Sequence, residues 1–185
     1  MRQSLSGRSM LAVLVDDRVR RLVFWIAAFG VLALDQATKV AARTFIQRGD
    51  EWPSNDWPAH FTNYTNTGAA FGILEGQTAV LIGTALIGLA AIYVYYRSPP
   101  FRHCLATAAI AMIFGGAAGN LLDRMRMGGV TDMLDVYRWP TFNVADSGIF
   151  VGVTILLIGY LVLQQGVNTG QESAAILAVN DRGKE

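Results

Sequence analysis

A chain of 185 residues is long enough for one domain. It is 52% hydrophobic and only 16% charged, against roughly 25% charged in soluble proteins, which excludes an ordinary water-soluble globule. The net charge of +1 says little by itself, and nothing in the pattern points to phosphate or nucleic-acid binding.

The apolar "LAVLV" near the N-terminus is followed at once by "DDRVRR". No signal-peptide cleavage site can be read there, so residues 1–20 are expected as an N-terminal extension before an uncleaved anchor. Four spans follow, at 22–42, 78–96, 104–122 and 147–165. The last three carry no charge. Each has about the length that crosses a hydrocarbon core of about 30 Å at about 1.5 Å per residue. The expectation is an all-α membrane protein of four transmembrane helices in a single domain. Residues 43–77 and 123–146 lie on one side, and the two tails lie on the other.

Charge placement orients this arrangement. Arg2, Arg8, Arg18, Arg20 and Arg21 precede the first span, Arg97 and Arg102 link spans two and three, and Arg182 and Lys184 sit in the tail. The positive-inside rule then makes both termini cytoplasmic. The bias is modest, because Arg43, Arg48, Arg124, Arg126 and Arg138 face outward.

Within the first span, "DQATK" places Asp35 four residues before Lys39, the favourable acid-then-base order on a helix. Asp35 reads as a structural partner. In the first outer region, Phe61, Asn63 and Thr65 alternate with polar neighbours in "FTNYTNTGAAFG", which predicts short strands. Trp52, Trp57 and Phe61 suit a membrane interface. The third span begins at the lone Cys104, so no internal disulfide forms; Cys104 reads as a packing residue. It ends in "FGGAAGN", where Gly115 and Gly119 make a small-xxx-small helix face. Asn120, Asp123 and Arg124 follow at i, i+3 and i+4 on one side. Such polar groups at a membrane helix end should face a wet or protein-lined interior. The second outer region is short and polar, with Gly128, Gly129 and Pro140 as turn signals. The tail, 166–185, is polar and is expected to be loose.

Under this topology Asp35, Lys39, Asn66, Asn120, Asp123, Arg124, Asp132, Asn143 and Asp146 lie at the same membrane face. Asp132 and Asp146 are the candidates for acid–base work. Taken alone, Asp146 is a first-turn helix acid, Asp132 is a turn residue in "GGVTDMLD", and Asp135 is a solvated loop acid. Two carboxyls in a poorly solvated pocket cannot both ionise easily and come to share a proton. The ionised member takes a proton from water while the neutral one polarises a peptide carbonyl.

Together "DQATK", "NTGAAFG", "GGAAGNLLDR", "VTD" and "FNVADS" resemble the motif set of the lipoprotein signal peptidases (signal peptidase II), from Asp35 to Ser147. The resemblance implies a bacterial inner-membrane aspartyl peptidase. It would cut prolipoproteins just before a diacylglyceryl-modified cysteine. It also implies a small extracytoplasmic β-cradle with a short outer helix and an active site at the outer face. The catalytic aspartates match Asp132 and Asp146. Supporting residues match Asp35, Lys39, Asn66, Gly68, Asn120, Asp123, Arg124, Asn143 and Ala145. Where the family often has Phe after its first catalytic aspartate, this chain has Met133. Partners implied are diacylglyceryl-modified prolipoproteins and membrane lipids; a monomer is expected. Small residues at Gly68, Ala69, Ala70 and Gly72 would leave room for an extended peptide.

Two rivals remain in view. A Ser–Lys peptidase would use Ser147 and Lys39, the single lysine outside the tail, but Asp35 engages that lysine. An ion-coupled carrier would place its acids near the midplane, whereas these cluster at one end. No cofactor or metal is expected: no HExxH or CxxC occurs, and His60 and His103 are far apart.

Overall fold

The computed structural model describes residues 16–53, 57–69, 73–97 and 103–182. The readings made above for Arg2, Arg8, Ala70, Gly72, Arg102 and Lys184 fall outside those residues. Along the chain run α1 (Asp17–Phe45), β1 (Glu51–Trp52), β2 (Ala59–Asn66), α2 (Thr78–Arg97), α3 (Cys104–Met127), β3 (Val130–Val136), β4 (Trp139–Phe142) and α4 (Val144–Arg182). The four helices are each long and apolar enough to cross a membrane. Past the end of α1 at Phe45, the described part of residues 43–77 holds strands and turns, and no separate helix falls on it.

Helix α1 starts where the Asp16 carboxylate accepts from the Arg18 N–H at 3.0 Å, a side-chain cap. Its buried residues include Phe24, Ala28, Asp35, Lys39 and Ala42, one stripe at helical spacing. The stripe is apolar in the first half and ionic in the second. Its apolar half meets α3, whose glycines allow close backbone approach. A Cβ at Gly115 would strike the Ala28 carbonyl, and one at Gly116 would strike the Ala145 carbonyl. Adjacent residues of α3 thus hold α1 on one side and α4 on the other. Gly152 of α4 faces the Ala109 carbonyl in the same way. Without a hydrophobic driving force in lipid, this tight packing is what holds the helices together. Helix α2 buries only Leu81 and Tyr96.

The strands form one antiparallel sheet in the order β1-β2-β3-β4. Asp132 therefore lies on a strand, which sets aside the plainer alternative of a turn residue in "GGVTDMLD". The sequence alternates Val130, Asp132 and Leu134 on one face of β3; a carboxylate inside the alternation hides the period. Pro140 sits in β4 at the edge of the sheet, where its missing N–H does no harm. The end of α3 is closed by Gly128 at φ 74°, whose N–H reaches the Arg124 carbonyl.

The tail also differs from expectation. Helix α4 continues through 39 residues to Arg182, about 58 Å at about 1.5 Å per residue. Gln, Glu, Ala and Leu in "QESAAILAVN" are good helix formers, so the polar residues among them do not end the helix.

Candidate active site

The ionic half of α1 organises the end of the bundle that carries the sheet. Lys39 is fully buried. Its Nζ lies 2.9 Å from Asp35 Oδ2 and 3.4 Å from Asp123 Oδ2, and it donates to Asn120 Oδ1 at 2.9 Å. All three ammonium protons are thereby directed. Asp35, also fully buried, accepts the Ala145 N–H at 2.9 Å through its other oxygen. That N–H is one of the donors left over at the start of α4. A carboxylate of α1 therefore caps α4, as well as pairing with Lys39.

Asn143 provides the proper cap of α4. Its Oδ1 accepts the Asp146 N–H at 3.0 Å, and Asp146 Oδ2 accepts the Asn143 N–H at 3.3 Å. This is the reciprocal pattern of a capping box. Asp146 is thus a first-turn helix acid, as it reads in isolation, but only one of its oxygens is so used. The other accepts from Asn120 Nδ2 at 2.8 Å. The remaining donor of Asn143, Nδ2, reaches Asp132 Oδ1 at 2.6 Å. One fully buried asparagine holds both carboxyl groups.

Asp132 is 2% exposed. Its second oxygen accepts from Asn66 Nδ2 at 3.1 Å. Tyr64 stands opposite Asp132 and Asn66 opposite Val130, so the asparagine reaches diagonally across the strands. Asn66 Oδ1 accepts the Gly68 N–H at 2.9 Å, and the Gly68 carbonyl accepts from Arg124 Nη2 at 3.1 Å. Burial raises the Asp132 pKa to about 6; hydrogen bonds from Asn143 and Asn66 oppose the rise, the Asp146 charge adds to it, and Lys39 opposes it.

All eleven residues singled out in the sequence belong to this cluster or its frame. Asp35, Lys39, Asn120 and Asp123 form its buried ionic floor. Asn66, Asp132, Asn143 and Asp146 form the pair with its amide donors. Gly68 and Arg124 close one side, and Ala145 supplies a backbone N–H while its fully buried side chain stays small beneath α3. Asp135 stays outside, opposite His60. Ser147 Oγ donates to the Asn143 carbonyl at 3.1 Å, and Lys39 is occupied as described, so no Ser–Lys pair forms. Met133 lines an apolar cavity of about 680 Å³, with Ala42, Phe45, Trp52 and Phe61. No residue of the polar cluster lines that cavity. The departure from Phe at this position therefore concerns the lining of that cavity. Among the described residues no group of three metal-ligand side chains occurs.

Three participants were not singled out. Gln36 Nε2 donates to Asp35 Oδ2 at 3.1 Å, Asp123 Oδ1 at 3.2 Å and the Gly119 carbonyl at 3.3 Å. Arg43 Nη1 donates to Thr131 Oγ1 at 2.8 Å and lies 3.8 Å from Asp123 Oδ2. The Thr131 N–H donates to the same Asp123 oxygen at 3.1 Å. Asp123 thus ties α3 to the strand residue next to Asp132. A signal existed: Asp35, Lys39 and Arg43 repeat at i, i+4 and i+8, one face of α1.

The four long apolar helices define a multi-pass membrane protein with a buried polar cluster at one end. A family profile described as signal peptidase (SPase) II matches residues 27–162. The chain belongs to the signal peptidase II family, a family of peptidases. It is 42% identical over 134 residues to a lipoprotein signal peptidase of Moorella thermoacetica, covering 72% of this chain and 89% of that one. It is 41% identical over 143 residues to one of Geobacter sulfurreducens, covering 74% and 89%. A bacterial membrane enzyme structure solved by the in meso method matches with a TM-score of 0.71 and 32% identity, over 75% of this chain and 87% of that chain.

Proposed function

We propose that the protein is an aspartyl endopeptidase that removes signal peptides from diacylglyceryl-modified prolipoproteins, cutting before the lipidated cysteine. The observation that carries this reading is Asn143, which binds Asp132 and Asp146 at once. Two carboxyls held by one asparagine in a buried site, Asp132 by its side-chain Nδ2 and Asp146 by its backbone N–H, share a proton. Asp132, with its pKa near 6, keeps that proton where an ordinary aspartate has lost it. As the neutral member it donates to the scissile carbonyl oxygen. Asp146 takes a proton from water, whose oxygen attacks the carbonyl carbon. The tetrahedral intermediate collapses as the C–N bond breaks and the proton held by Asp146 passes to the leaving nitrogen.

Asn66, Gly68 and Arg124 flank Asp132 and are placed to align the peptide backbone. The substrate enters sideways from the bilayer, its acyl chains remaining in hydrocarbon. The protein resides in the bacterial inner membrane with both termini cytoplasmic and the site at the outer face; the arginines at the α1 start and α2 end support that orientation.

The test is cleavage of a diacylglyceryl-modified prolipoprotein by the purified protein. Asp132→Asn and Asp146→Asn should each lower kcat by about a thousandfold or more, since neither half of the pair works alone. Ser147→Ala should stay within about threefold. Loss of activity in Ser147→Ala, with activity retained in either aspartate variant, would overturn the reading.

A further inference from the structure

Apart from Arg124 in the site, the described residues leave buried side-chain donors unpartnered at one other place. These are Arg20 Nε, Arg20 Nη1 and the Tyr96 hydroxyl. Arg20 is 8% exposed and Tyr96 4%. The two converge: Arg20 Cζ lies 5.3 Å from the Tyr96 ring centroid. Phe24 stacks on the Tyr96 ring, with 3.9 Å between centroids, which fixes the tyrosine. Arg20 Nη2 faces Asp17 at 3.4 Å, so that edge of the guanidinium is engaged and half-open to solvent through Asp17.

The place of this cluster in the membrane follows from helix geometry. Nineteen residues separate Arg20 from Lys39, about 28 Å at about 1.5 Å per residue. That is one hydrocarbon thickness from the catalytic cluster. Tyr96 is the penultimate residue of α2. Arg18, Arg21 and Arg97 are exposed around the same end. Basic residues at that level attract lipids of net negative charge.

We propose that Arg20 and Tyr96 form a binding site for the phosphate of an anionic phospholipid, in the leaflet opposite the peptidase site. A guanidinium stays charged and donates strongly to phosphate oxygens; Arg20 Nε and Nη1 are its two unpartnered nitrogens, and the Tyr96 hydroxyl supplies a further donor. Turning the long arginine side chain about its torsions brings its guanidinium to the headgroup layer, as membrane-edge arginines do. The lipid then bridges α1 and α2 where the Phe24–Tyr96 stack already joins them. The proposal does not depend on the peptidase reading.

Native mass spectrometry of the purified full-length protein, titrated with phosphatidylglycerol in detergent, tests it. The wild type should bind one phosphatidylglycerol with a Kd at least tenfold below that for phosphatidylethanolamine. Arg20→Met should weaken that binding at least tenfold. Tyr96→Phe, which keeps the stacked ring and so the fold, should weaken it about threefold. Arg18→Met, at an exposed position, should change it less than twofold. Equal binding of the two lipids, unchanged binding in both Arg20→Met and Tyr96→Phe, or equal occupancy of the site by inorganic phosphate alone would overturn it.

Discussion

Asn143 shows how much one side chain carries in a small membrane site. Its backbone N–H and Oδ1 complete the helix cap with Asp146, and its Nδ2 holds Asp132. Helix initiation and placement of the carboxyl pair are the same set of bonds. The protonation of Asp132 gives this scale its prediction. A pKa of about 6 in the free protein places the alkaline limb of kcat/KM near pH 6, because ionised Asp132 no longer donates to the substrate carbonyl. A bound peptide removes more water from Asp132 and disfavours its charge further. The alkaline limb of kcat, which reports the bound complex, should therefore lie at higher pH than that of kcat/KM. Initial rates of prolipoprotein cleavage between pH 4 and 9, at saturating and limiting substrate, check both. Coincident limbs would remove Asp132 from that role.

Among the elements, α3 is the common wall. Gly115 and Gly119 seat α1, and Gly116 seats α4. Gly119 joins packing to chemistry, since a Cβ there would lie 2.5 Å from Asp35 Oδ2. That carboxylate holds Lys39 and the Ala145 N–H at the α4 start. Gly119→Ala should therefore push Asp35 aside, costing about 1–3 kcal/mol as an overpacked core does, and lower kcat by loosening α4 beneath Asp146. Gly30→Ala is the control, because a Cβ there meets nothing within 4 Å. Thermal unfolding in detergent beside cleavage rates measures both, and equal behaviour of the two variants would count against the seat. Legibility in the sequence was uneven at this scale. The four spans were plain because each is long and nearly free of charge. The hairpin of β3 and β4 was not, because Asp132 interrupts the apolar alternation that marks a strand. The helical tail was missed because a few polar residues do not end a helix among good helix formers.

At the scale of the molecule, the buried charge of the site is a cost that the fold sustains. Asp132 is held about two pKa units above its ordinary value of 3.8, which corresponds to about 3 kcal/mol when it is ionised. Its folded pKa is raised, so the folded state binds more protons than the unfolded state between about pH 4 and pH 6. Stability is full below about pH 4 and falls as pH rises to about 6. Asp132→Asn removes that titration, although its amide can accept from only one of Asn143 and Asn66. The difference in stability between Asp132→Asn and the wild type should therefore shift in favour of the variant by about 3 kcal/mol from pH 4 to pH 7. Denaturation midpoints for the two proteins across that range supply the check, and a constant difference would contradict it.

The sequence by itself determined the membrane class and the four spans, because hydrocarbon tolerates so few charges that long uncharged runs leave little choice. It also named the polar residues of the site, through motifs whose order relative to the spans is specific. It could not determine which of them touch. Asp35 capping α4, Asn143 reaching Asp132, and Arg43 reaching Thr131 join residues from 11 to 110 positions apart. Only the packing of the helices and the sheet against one another brings those partners together, and a hydrogen bond depends on position to within tenths of an ångström.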